Sequence, residues 1–186
     1  LLLALVFAFL LNWPVLLHFY DILSNIEHFK IGFVVSIPFL LVAALNFVFM
    51  PFSIRFLMKP FFAFLFVTGS IASYTMMKYR VLFDGDMIQN IFETNQSEAF
   101  AYVNAPIIIW VLLTGFLPAA LIFFVKIEYA STWYKGIAQR LLSMFFSLII
   151  VGIIAALYYQ DYASIGRNNQ TLNREIVPAN FMYSTS

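Results

Sequence analysis

A chain of 186 residues that is 63% apolar and 10% charged, with 23 phenylalanines, lacks the make-up of a soluble domain, which is about 45–50% apolar and about 25% charged. That much apolar surface exceeds what a core of this length hides from water, so a bilayer must be the solvent for most of it. The net charge of +1 argues against a nucleic-acid footprint or a strongly acidic partner, and the lack of cysteine excludes disulfides and thiolate metal sites.

A helix needs about 20 apolar residues to cross the hydrocarbon core. Five segments meet that requirement, at 1–20, 31–50, 60–78, 105–125 and 141–160. The chain opens on Leu1 rather than Met, which implies residues before it. No small-residue cleavage site follows the first segment, so it reads as an anchor and not as a signal peptide. Pro14, Pro38 and Pro118 fall inside segments and predict helix kinks. His18 and His28 flank the first connection and read as interfacial histidines, not as metal ligands.

The connections set the orientation. "PFSIRFLMK" carries Arg55 and Lys59 without an acid, and residues 126–140 carry Lys126, Lys135 and Arg140 against Glu128. The other two connections and the tail hold the remaining eight of nine acids. Basic residues divide five against five, so their density in short loops decides. The N-terminus is then cytoplasmic and the tail periplasmic.

Residues 80–104 are too polar to span and too regular for coil. Asp86 after "DGD" starts a helix over 86–103, with Gln89 completing a capping-box-like pair. Ile88, Ile91, Phe92, Ala99 and Tyr102 share one face, and Gln89, Glu93, Gln96 and Ser97 another. This pattern predicts a periplasmic amphipathic helix lying in the membrane interface. Asn90, Thr94 and Glu98 follow at i, i+4 and i+8, a stripe along the seam between the two faces. Two readings stay open from the pattern alone. One is a solvated polar edge; the other is a lipid-headgroup stripe combining an amide, a hydroxyl and a carboxylate.

The tail from 161 begins with Asp161, Tyr162 and Arg167. Arg167 can meet a lipid phosphate, or with Tyr162 it simply anchors a linker over 161–186. Tyr79, just before the polar helix, reads first as an interfacial anchor and second as a substrate contact. Pro178 and Asn180 read as connector residues.

The polar segments carry a likeness. "DMIQNIFETNQSEAFAYV" and "YYQDYASIGRNNQTLNREIVPANF", together with "SYTMMKYRVLFD", resemble the membrane domain of the lipid A phosphoethanolamine transferases, in particular the mobile colistin-resistance type. The resemblance implies a bacterial inner-membrane domain of five spans, joined to a periplasmic catalytic domain with an alkaline-phosphatase-like fold. There a threonine beside zinc would take phosphoethanolamine from phosphatidylethanolamine and pass it to lipid A, weakening polymyxin binding. It further implies that Asn90, Thr94 and Glu98 help hold the lipid donor.

The fold class expected is therefore all-α, five transmembrane helices plus the interfacial helix. Residues 1–186 contain no zinc site, nucleophile triad or phosphate-cradling glycine loop of that family, so this portion alone should be inactive. A stand-alone lipid-binding or scaffold module is the rival reading. A transporter would place ionisable groups inside spans, and these span centres carry none.

Overall fold

The computed structural model describes residues 1–24, 30–79, 105–130, 132–168 and 176–177. Every regular element among them is helical. In lipid a backbone must satisfy its own polar groups, and a helix does so within one segment. The elements are α1 (Leu2–Leu11), α2 (Trp13–Ser24), α3 (Ile31–Phe49), α4 (Met58–Tyr79), α5 (Ala105–Phe124) and α6 (Trp133–Asn168). Four of these are long and apolar enough to cross a membrane, and α1 with α2 makes a fifth passage if the bent pair is one span.

Two of the three prolines leave a mark on the backbone. Pro14 cannot donate to a carbonyl one turn back, and α1 meets α2 at a 60° bend. Before it, Phe7–Leu11 widens into π geometry, and the Asn12 amide bonds the Phe7 carbonyl at 2.9 Å. The bent pair carries the kink that Pro14 predicts, and it reaches Ser24 where the sequence places the end of the span at 20. Pro118 follows a second π segment, Leu112–Phe116, whose wider turn accommodates the missing donor. Pro38 lies within an uninterrupted α3.

The last span, α6, also differs from its expected bounds of 141–160. It starts at Trp133 and runs to Asn168, with non-helical dihedrals at Tyr158. Helix geometry needs no lipid, so Lys135 and Arg140 join the first turns while their long stems keep the charges near water. Residues 161–168, expected as linker, are helical. The predicted interfacial helix at 86–103 lies outside the described residues.

α4 is the hub. Just over half (56%) of its most apolar stretch is buried within the protein, against 11% for α6. Small residues permit this. A Cβ on Gly69 would sit 3.0 Å from both Leu11 and Val177, and one on Gly115 of α5 would collide with the Ser70 hydroxyl. α6 instead lies along α3, held by Asn46 donating to Ser143 (3.1 Å) and Ser147 (2.8 Å) and by the Ser36–Tyr162 hydroxyl pair at 2.9 Å. The outward side chains of α6, Leu141, Leu142, Phe145 and Phe146 among them, are exposed, as a lipid-facing surface requires.

The antiparallel course gives the bundle two ends. At one, Phe7, Phe49, Phe62 and Phe66 form an aromatic core. There Lys59 closes the C-terminus of α5 through the carbonyls of Phe123 (3.0 Å) and Val125 (3.1 Å). At the other end, Leu23, Phe33, Ile37 and Ile165 make a smaller core beneath Lys30 and Asp161.

Candidate functional site

The Lys30 end gathers the polar chemistry. α4 and α6 both finish there, the first at Tyr79 and the second at Asn168. Tyr79 and Arg167, far apart in sequence, are thus brought to one end of the bundle. Arg167 is exposed, and its Nε donates to the Ala163 carbonyl one turn back at 3.2 Å. That bond uses one of five guanidinium donors, and the others suit a phosphate. Asn90, Thr94 and Glu98 lie outside the described residues, in the segment that joins the end of α4 to the start of α5.

Around this end the packing is polar and partly unsatisfied. Lys30 Nζ and Asp161 Oδ2 pair at 3.2 Å on the surface. Within the bundle, Ser73 Oγ on α4 and Trp110 Nε1 on α5 are buried without a hydrogen-bond partner among the described residues. The Trp110 ring lies 6.5 Å from Tyr74, the residue after Ser73. Ser70, Thr75 and Thr114 are buried nearby along the same helices, but each hydroxyl bonds a carbonyl of its own helix. Such back-bonding is how a hydroxyl tolerates lipid depth, so the two orphans stand out from their neighbours.

A deeper polar feature was not singled out by the sequence reading. Asn12, at the bend, is fully buried. Its Nδ2 donates to the carbonyls of Phe7 (3.0 Å) and Val177 (2.9 Å), and its Oδ1 accepts from the Val177 N–H at 2.7 Å. The available signal was an Asn in the apolar run "FLLNWP", two residues before a proline.

Chemically the arrangement binds and orients. Among the described residues no three His, Cys, Asp or Glu side chains come together as a metal site. Arginine, tyrosine and an ion pair at an interface are groups that recognise a zwitterionic or phosphorylated headgroup.

Fold and site together define a helical membrane protein with an aromatic core toward one end and, at the other, an arginine, a tyrosine and an ion pair suited to lipid headgroups. The chain belongs to the family described as phosphoethanolamine transferase EptA/EptB, whose sequence model matches residues 41–186. Phosphoethanolamine transferase EptA of Escherichia coli (strain K12) is 29% identical over 185 residues, covering 92% of this chain and 34% of that protein. Phosphatidylethanolamine transferase Mcr-1 of Escherichia coli is 31% identical over 156 residues, covering 83% and 29%. The structure of lipooligosaccharide phosphoethanolamine transferase A from Neisseria meningitidis, an integral membrane protein, superposes with a TM-score of 0.91 at 28% identity. That match covers 99% of this chain and 34% of the other. The chain thus spans about a third of the length of these relatives. The resemblance read from the polar blocks is borne out, and the stand-alone module is not favoured.

Proposed function

We propose that this chain is the membrane domain of an enzyme that moves phosphoethanolamine from phosphatidylethanolamine to lipid A in the bacterial inner membrane. It anchors the enzyme and holds the donor lipid at the Lys30 end of the bundle, which faces the periplasm. The observation that carries this is the family match, which runs through both polar blocks and on to residue 186. The relatives' names supply the transferase chemistry, and their greater length supplies room for the catalytic portion, attached covalently after this one.

The donor presents a phosphate between glycerol and an ammonium-bearing arm. In this reading Asn90 and Thr94 hold phosphate or glycerol oxygens, and the Glu98 carboxylate meets the ammonium or the catalytic zinc. Tyr79 and Arg167 flank them from the ends of α4 and α6. In this reading zinc would be held by the periplasmic portion, as the family resemblance implies. The added ammonium on lipid A would weaken polymyxin binding.

Glu98→Ala in the full-length protein should lower lipid A modification at least about tenfold, as loss of a charged contact to substrate does, read by mass spectrometry of extracted lipid A. Undiminished modification at a normal membrane level would remove Glu98 from the site. Orientation has its own check, because residues 1–186 contain no cysteine. Impermeant thiol labelling from the periplasm should reach Ser164→Cys at the Lys30 end and not Ser53→Cys beyond α3. The reverse pattern would invert the topology.

A further inference from the structure

Asn168 ends α6 at the Lys30 end, yet Val177, nine residues later, is fully buried beside Asn12, Leu11 and Gly69. Gly69 lies ten residues from Tyr79 along α4. At 1.5 Å per residue, Val177 sits about 15 Å inside that end, near mid-depth of the bundle. The backbone at Ile176–Val177 therefore lies back inside the helical bundle. Non-helical backbone is tolerated there only where protein satisfies it.

Asn12 supplies that satisfaction with unusual completeness. Its Oδ1 takes the Val177 N–H and its Nδ2 gives to the Val177 carbonyl, a two-point pairing like that of a neighbouring strand. The second Nδ2 hydrogen goes to the Phe7 carbonyl, which also takes the Asn12 backbone N–H, and this fixes the carboxamide in place. Only one orientation of the amide meets all three partners, since a flipped one would turn its oxygen on two carbonyls. The pairing reads backbone, so specificity for the side chain must come from elsewhere. It comes from Gly69, whose missing Cβ leaves space for Val177: a Cβ there would lie 3.0 Å from both Val177 Cγ1 and Leu11 Cδ1. Ile176 adds contact with the aromatic core.

We propose that Asn12 is a latch, docking the segment after α6 into the bend of the first passage and so making Asn12 a positioning residue for the portion that follows. The bend, the buried amide and the glycine on α4 form one slot, built from three elements and filled by Ile176–Val177. A connector fastened at mid-depth cannot slide outward, which restricts where the attached portion stands over the Lys30 end. Only this last consequence rests on the proposed function; the latch itself does not.

The test uses the full-length protein in its native membrane, which the cysteine-free background of this chain favours. In Gly69→Cys with Val177→Cys the γ-methyl that a Cβ at 69 would press on is itself replaced, so the two thiols should lie within disulfide reach, Cβ atoms about 3.5–4.5 Å apart. A protease site added in the 126–130 connection lets a gel report the bond. Mild oxidation should join nearly all molecules when Asn12 is present and should slow about tenfold or more with Asn12→Leu, as loss of a buried hydrogen-bonding partner does. Equal rates in the two backgrounds would overturn the latch. Should Asn12→Leu fail to accumulate, the pair with Asn12 intact still decides, and no cross-link there would overturn the proposal. The positioning role predicts that Asn12→Leu loses lipid A modification and that forming the disulfide restores it. Modification lost and not restored would sink that role, as would modification never lost. A parent protein with no transferase activity would sink the proposed function while leaving the cross-linking result intact.

Discussion

The two ends of the bundle are built on different principles. At the Lys59 end, Phe7 touches Phe49 (ring centroids 4.9 Å) and Phe66 (4.6 Å), Phe52 stacks on Phe61 at 4.2 Å, and the helix terminus is closed by a lysine. At the Lys30 end the contacts include an exposed ion pair and the Ser36–Tyr162 hydroxyl bond. Buried polar atoms without partners among the described residues lie toward both ends, Ser73 and Trp110 at this one and Asn46 and Thr132 at the other. In lipid, helices gain little from being apolar and much from fitting. The interlocked end supplies rigidity, and the polar end trades fit for chemistry. Arg167 and Tyr79 lie at the second end, where the segment with Asn90, Thr94 and Glu98 is also attached, so binding need not disturb the packing that holds the fold.

That contrast can be broken from either side. The largest effect is expected from Phe7→Ala, which removes a fully buried ring from the aromatic core. The transfer contribution is small in lipid, so the cost is mainly the cavity, about 2–4 kcal/mol. Reversible unfolding in mixed micelles would measure it. A loss below about 1 kcal/mol would mean that this end is looser than its ring contacts indicate. The smallest effect is expected from Lys30→Ala. An exposed pair at 3.2 Å contributes less than about 1 kcal/mol, and the same unfolding measurement should scarcely move. A large loss there would make the polar end a structural keystone and erase the division. Between them in size stand Glu98→Ala, which probes activity, and the Asn12 latch, which probes position where the connector meets the edge of the aromatic core.

Much of the helical layout was legible in the sequence, because each passage is a local matter of about 20 apolar residues. α3 begins and ends within a residue of the charge-free run that predicted it. Pro14 announced a kink, and a kink is there. The family was legible too, through two polar blocks whose residue order is more specific than any apolar run. The positions of the helix ends were less so. α6 starts earlier and ends later than its apolar stretch because Lys135, Arg140 and Asp161 can each sit on a helix at the interface. Composition marks the lipid boundary and not the last hydrogen bond. The binding stripe of Asn90, Thr94 and Glu98 still rests on the sequence and the family, since those residues lie outside the described structure.

By itself the sequence determined that the chain lives in a bilayer, how many passages it offers, where their charged connections fall, and which family it resembles. All of these are properties of contiguous residues, read from hydropathy and short motifs. Only the tertiary structure decided that α4 is the hub, that α6 lies along α3, and that Tyr79 and Arg167 share an end. It alone joined Asn12 to Val177 across 165 positions. No local pattern encodes such a pairing: an amide at lipid depth needs partners, and which partners it finds depends on how separate helices fold back on one another.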